Sequence, residues 1–288
     1  VAKSLPYQRP SYRSVVRNFG NGEAEICTHL ITQVPSPSQL LDRDMAAAGL
    51  PILYRPVKVD KPAADLESNH ERATRRAKQA IRWRVKGQLL DHMITLTVRE
   101  NLRDVDQLKA LWAKFRRLVE KKTGKFAYCA VVEEQKRGAL HIHCAVSGRQ
   151  NVHVLRGSWW AALGHDVIYV NGAPKLSDGV SSRGNVDITN PMFRRRSGKL
   201  QRQVSKWRPR NVASYLSKYI AKCLDNTAAN SRKYWASTGF KCPKEVVFLQ
   251  AECLRDALLE TSSMFESLVG RFVSPWKSPD WSCIWVSS

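Results

Sequence analysis

The sequence predicts an α+β fold, a central antiparallel sheet with helices packed on it. Three observations predict it. A β-branched run, "HMITLTV" at 92–98, is bounded by polar residues. An amphipathic helix follows it. Two further apolar runs, 126–135 and 139–147, are then separated by a turn of hairpin length.

The elements follow in order. Residues 1–70 mix prolines with short apolar stretches, "ICTHLITQV" and "LPILYRPVKV", and read as an irregular N-terminal extension. From Asn69 the texture changes to "NHERATRRAKQAIRWRVKGQLLD", a basic helix crowded with Arg72, Arg75, Arg76, Lys78, Arg82, Arg84 and Lys86. A charge run is ordinarily a solvated face. With almost nothing acidic to balance this one, a phosphate-contacting face is an equal reading. After the strand at 92–98, Asp104 can cap a helix, with Gln107 as its reciprocal partner. Leu108, Leu111, Trp112, Phe115 and Val119 form the stripe of a helix lying on a sheet, and Gly124 ends it. The hairpin turns at Gly138. Residues 153–164 read as a short helix and 184–189 as a short strand. A second basic stretch, 193–210, leads into a helix started by Pro209 and Asn211 and carrying "VASYLSKYIAK". The order is β-α-β-β-(α)-β-α across residues 71–240. Residues 241–288, with "EVVFLQAECLRDALLETSSMFESLVGRF", read as a C-terminal helical extension that packs or self-associates.

Composition narrows the class. The chain has 288 residues, 43% hydrophobic, enough for a packed core. Its 47 Lys and Arg against 25 Asp and Glu leave a formal charge of +22. Such an excess favours a polyanion through counterion release, so nucleic acid is the default partner. Charge alone separates neither DNA from RNA nor an enzyme from a binder. The seven cysteines are scattered with no Cys-x-x-Cys pair, which reads as idle thiols in a reducing cytosol. No apolar run approaches the roughly 18–20 residues of a membrane span, and no signal peptide stands at the start, so a soluble cytoplasmic protein is expected.

Two constellations carry chemistry. His141 and His143 stand two apart on a predicted strand and so share a face. Across the hairpin, Glu133 and Gln135 can share one face of the neighbouring strand. Two imidazoles with a carboxylate or amide oxygen suit Mn²⁺ or Mg²⁺, with Zn²⁺ as an alternative. A His-x-His triplet alone is weak, because a buried hydrogen-bonded pair has the same sequence. The hairpin position and the acidic partner opposite favour the metal reading. His29, His70, His92, His153 and His165 have no comparable setting and read as structural.

The second constellation is the doubled Tyr-x-x-Lys at Tyr215–Lys218 and Tyr219–Lys222. With Tyr215 at zero and about 100° per residue, Tyr219 falls near ~40°, Lys222 near ~−20° and Lys218 near ~−60°. Val212, Ala213, Leu216, Ile220, Cys223 and Leu224 occupy another sector, so the apolar stripe is complete without either tyrosine. A phenol ionises near pH ~10 and is a poor nucleophile at neutrality. A neighbouring ammonium favours phenolate, and a metal on a scissile phosphate would orient it for in-line attack. Attack forms a covalent phosphotyrosine, a transesterification that conserves the phosphodiester energy.

"MITLTVREN", "VVEEQKRGALHIHCAV" and "VASYLSKYIAK", in this order, resemble the three motifs of the HUH endonuclease superfamily, and more narrowly the two-tyrosine rolling-circle replication initiators of phages and plasmids. The resemblance covers about residues 71–240. It implies a sheet of RRM-like topology with the histidines on its central strands. It further implies nicking of one strand of single-stranded origin DNA, leaving a 5′-phosphotyrosine and a free 3′-OH primer, followed by rejoining. Carried over, His141 and His143 match the metal pair and Glu133 the acidic third ligand, with Glu134 and Gln135 as rivals. Tyr215 and Tyr219 match the nucleophiles, with Lys218 and Lys222 accompanying them. Arg75, Arg76, Arg82 and Arg84, and in the second basic stretch Arg194, Arg195, Arg196, Lys206, Arg208 and Arg210, are the candidate DNA contacts. The expected cofactor is Mg²⁺ or Mn²⁺. No Walker A pattern is present, so a host helicase and a host DNA polymerase are expected partners. Alternatives are a transposase or relaxase of the same superfamily and, from another class, a non-catalytic basic nucleic-acid binder. The aromatic recognition strand normal in that last class is not found.

Overall fold

A computed structural model describes residues 11–31, 66–135, 137–177, 179, 183–189, 209–222, 234–279 and 282–288. The chain forms an α+β protein with antiparallel sheets, in two units. A central unit is continuous, Leu66–Cys242, and a terminal unit joins Val1–Asp65 to Pro243–Ser288. Among the described residues no helix is long and apolar enough to cross a membrane.

The central unit opens with α1 (Leu66–Gly87), followed by β3 (His92–Val98), α2 (Val105–Thr123), β4 (Tyr128–Glu134) and β5 (Leu140–Val146). Then come α3 (Val152–Ala162), β6 (Val167–Val170), β7 (Ala173–Leu176), β8 (Gly184–Thr189), α4 (Pro209–Lys222) and β9 (Trp235–Ala236). The sheet order is β8-β3-β5-β4-β9, every pair antiparallel. The β6–β7 hairpin is separate and was not expected from the sequence; its exposed Ile168, Tyr169 and Val170 erase the alternation that marks a half-buried strand.

Local chemistry accounts for these elements. The Asp104 carboxylate accepts from the backbone N–H groups of Asp106 and Gln107, at 2.8 and 3.2 Å, and starts α2. Gly124 at φ 79° ends it. The β4–β5 turn closes through Gln135 N–H to Ala139 O, 2.9 Å, with Gly138 at φ 82° in the left-handed region that glycine adopts without strain.

Strand alternation divides the sheet into two faces. On one, Ile94, Leu96, Ala130, Ile142, Cys144 and Val146 pack beneath α2 and α3, whose Trp112, Phe115 and Trp159 fill the layer. On the other, Met93, Cys129, Val131 and Ala145 meet Ala77, Ile81 and Val85 of α1 and Val212, Ala213 and Leu216 of α4.

The terminal unit differs from an irregular extension followed by a helical one. Its strands are β1 (Ser11–Asn18), β2 (Ala24–Ile31), β10 (Glu245–Phe248), β11 (Trp276–Lys277) and β12 (Cys283–Ser287), in the order β10-β1-β2-β12-β11. Helix α5 (Leu254–Val269) covers one face through Ala257, Thr261 and Phe265. The inward side of the first hairpin carries Ser14 and Thr28, hydrogen-bonded to each other at 2.6 Å, and Thr28 reaches Thr261 at 2.8 Å. These buried hydroxyls interrupt the apolar alternation, which is why the segment does not read as strand. "EVVF", placed in the helical tail from sequence, is an edge strand paired with β1.

Candidate active site

The period of two on β5 puts His141 and His143 on the same face as Ala145, 7% and 6% exposed. Register does the rest. Glu133 of β4 lies opposite His141, and Thr95 of β3 lies opposite His143. The Glu133 carboxylate reaches diagonally to His143, with Oε2 2.7 Å from Nε2. Thr95 Oγ1 stands 3.1 Å from His143 Nδ1. In the tautomer with its proton on Nε2, that N–H donates to the carboxylate, and Nδ1 accepts from the threonine hydroxyl. One imidazole is thereby held at both nitrogens, by the strands on either side of it. Glu134 alternates to the opposite face, and Gln135 closes the turn through its backbone.

His141 is different. Its Nε2 is buried without a hydrogen-bond partner among the described residues. Burial lowers its pKa, His143 and Arg137 add to the shift, and Glu133 opposes it. A neutral imidazole with an unpartnered buried nitrogen is a ligand in waiting, since leaving such an atom unsatisfied costs about 1–3 kcal/mol. Donor chemistry therefore fits a divalent ion at His141, His143 and Glu133. The three do not all lie within 4.8 Å of one another, as donors closed around one ion do. A proton and a cation compete for the Glu133–His143 contact.

Helix α4 lays both tyrosines over this face. Val212, Ala213 and Leu216 are buried and seat the helix, while Tyr215 and Tyr219 stay at the rim of the same cluster. The Tyr219 ring stacks on His143, centroids 4.2 Å apart and planes at 13°. Tyr215 meets His143 edge-on, at 6.1 Å and 82°. The Tyr219 hydroxyl donates to the Tyr215 oxygen at 2.5 Å. Burial raises the pKa of the Tyr219 phenol, and the Tyr215 contact and the Glu133 charge raise it further. Lys218 is exposed on α4, and the Lys222 side chain lies outside the described residues.

On α1, Arg75 and Arg76 are exposed, and Arg75 lies 3.8 Å from Glu71. Arg82 and Arg84 are half-buried. The Arg84 guanidinium donates to Ser237 O at 3.1 Å and lies over the Phe240 ring at 5.6 Å. Arg76 and Arg84 border a cleft of about 610 Å³ shared with Tyr234, Ser237 and Thr238. Arg194, Arg195, Arg196, Lys206 and Arg208, and the side chain of Arg210, lie outside the described residues.

Sequence reasoning missed Thr95 and the stack of Tyr219 on His143. A signal for Thr95 existed: it is a polar residue on the side of "HMITLTV" opposite the apolar Ile94, Leu96 and Val98.

No curated protein and no solved structure matches the chain. Residues 91–224 do match a family model, and that span runs from the start of β3 to the end of α4, enclosing Thr95, Glu133, both histidines and both tyrosines. The span that builds this cluster is thus similar to the family of replication-associated proteins of the ORF2 and gene-2-protein type.

Proposed function

We propose that the protein initiates rolling-circle replication by nicking one strand of origin DNA and later rejoining it. The observation that carries this reading is the stack of Tyr219 on His143. It brings three segments distant in sequence, β3–Thr95, the Glu133/His143 hairpin and the tyrosine helix, onto one face. The strand order β8-β3-β5-β4, reached through a β-α-β-β-α-β path, supports the RRM-like topology. The family match supports a role at a replication origin.

In this reading a phenol oxygen attacks the scissile phosphorus in line. The new O–P bond forms as the bond to the 3′ oxygen breaks, and that oxygen takes up a proton as the free 3′-OH. A divalent ion, Mg²⁺ or Mn²⁺, held by His141, His143 and Glu133 would withdraw charge from the phosphate. Thr95 and Glu133 fix the His143 ring, and the ring in turn seats Tyr219. The contact with Tyr215 raises the pKa of the Tyr219 phenol, so the two phenols act in turn rather than together. Lys218 and Lys222 supply positive charge for the phenolate. The basic face of α1 and the Arg76/Arg84 cleft hold the backbone of the strand. A host helicase and polymerase complete the reaction.

The test uses a labelled pool of single-stranded oligonucleotides tiling the replicon that encodes the protein, with Mn²⁺. A covalent protein–DNA adduct is expected on a denaturing gel. It is lost with EDTA, with His141→Ala, and with Tyr215→Phe combined with Tyr219→Phe. Cleavage that survives the double tyrosine change sinks the covalent mechanism. Binding without cleavage under all conditions returns the protein to the class of non-catalytic binders.

A further inference from the structure

The terminal unit carries a second group of donors. On β2, Cys27 and His29 are two apart and share the face opposite α5, and β12 brings Cys283 into register with His29. The Cys27 sulfur lies 3.5 Å from that of Cys283 and 3.2 Å from His29 Nε2. Donor atoms of all three lie within 4.8 Å of one another, the one such trio of His, Cys or acidic residues among the described residues.

These separations can be set against a metal. Bonds of about 2.3 Å to sulfur and about 2.0 Å to nitrogen give tetrahedral edges of about 3.8 Å between sulfurs and about 3.5 Å between sulfur and nitrogen. Each observed edge is only about 0.3 Å shorter, a difference that small side-chain rotations supply. A disulfide would need the sulfurs at about 2.05 Å.

We infer that Cys27, His29 and Cys283 form a site for Zn²⁺ or a similar thiophilic divalent ion. Two thiol protons leave to solvent as the sulfurs bind, and His29 binds as neutral imidazole. Two thiolates neutralise the ion, so the pairing of Arg13 with His29 on the adjacent strand adds little repulsion. Cys27 and Cys283 are half-buried and His29 is exposed, which gives the ion a way in and leaves the fourth position to water. The site clips the two ends of the chain together, joining positions 256 residues apart. It is separate from the nitrogen- and oxygen-donor site of the central unit.

Cobalt titration of the reduced full-length protein tests this, because only thiolate ligands give an intense near-ultraviolet charge-transfer band. We expect that band, and one equivalent of zinc retained after dialysis, in the unaltered protein and in the His141→Ala, His143→Ala double variant. Both are lost in Cys27→Ser, Cys283→Ser and His29→Ala. Zinc raises the melting midpoint of the unaltered protein and leaves that of His29→Ala unchanged. Should the serine variants fail to fold, His29→Cys keeps three ligands, and its cobalt band grows. No band in the unaltered protein, a band unchanged in Cys27→Ser, no growth in His29→Cys, or a Cys27–Cys283 disulfide in place of metal binding overturns the inference. None of these outcomes bears on the nicking reaction, which is scored separately by the adduct.

Discussion

The two faces of the central sheet are made by the same strands and do opposite things. Beneath α2 and α3 the even-numbered positions of β3, β4 and β5 are apolar apart from His92 and Glu134 at strand ends, and Trp112, Phe115, Phe126, Tyr128 and Trp159 form a chain of ring contacts between 5.0 and 6.4 Å. Beneath α1 and α4 the odd-numbered positions are, apart from Met93, mostly small or polar: Thr95, Cys129, Val131, Glu133, His141, His143 and Ala145. Small residues let the two helices pack there, and Glu133, His143 and Thr95 bond across strands while His141 Nε2 stays unpartnered among the described residues. Alternation thus puts packing on one side and the reactive groups on the other, one residue apart.

Breaking the packed face should have the largest effect and leave the chemistry alone. Phe115 is fully buried between Trp112, Phe126 and Trp159. Phe115→Ala should cost about 3–5 kcal/mol of stability in denaturant unfolding. Adduct formation per folded molecule should stay unchanged. A variant that keeps its stability and loses nicking would end the division of labour between the faces.

The converse change sits on the reactive face. Glu133→Ala removes the carboxylate from His143 and should slow adduct formation by about 100-fold or more, with stability altered far less than by Phe115→Ala. Glu134→Ala, on the alternate side of the same strand, is the control and should nick normally. Reversed results would move the third ligand by one residue and with it the face on which β4 contributes.

Thr95→Val is a finer cut, keeping the shape and deleting the hydroxyl at His143 Nδ1. About a 10-fold loss of nicking is expected, restored in part by Thr95→Ser, which returns a hydroxyl. Full activity in Thr95→Val would mean that Glu133 and the Tyr219 stack orient the ring without it.

How much of this was legible in the sequence follows from how local each signal is. The α2 cap at Asp104, the turn at Gly138 and the two-residue spacing of the histidines act within a few residues, and the elements are where those residues indicate. The tyrosines could be given a face of their own by angle alone. Their landing on His143 depends on how α4 crosses the sheet, which no short pattern encodes. The terminal unit was illegible for a different reason. Its inward positions include Ser14 and Thr28, its partners β10 and β12 come from the far end of the chain, and Cys27 and Cys283 have no sequence spacing that betrays them as neighbours. The asparagine and glycine turn "NFGNG" was the available clue to the first hairpin.

The smallest expected effect compares the faces through a proton. Cys129 lies on β4 on the reactive face, fully buried, and burial raises its thiol pKa from 9.0 to about 12, with Arg84 of α1 pulling the other way. Between pH 9.0 and about 12 the folded chain keeps a proton that the unfolded chain has released, so stability is intact below that window and falls as pH rises through it. One such proton changes the slope of unfolding free energy against pH by about 1.4 kcal/mol per pH unit. Cys129→Ala should make that alkaline slope shallower by this amount, whatever it does to stability at neutral pH, in urea unfolding measured from about pH 8 to about pH 10.5, a range that spans the onset of the window. An unchanged slope would mean that water reaches β4 from the α1 side, and that the reactive face is wetter than its packing shows.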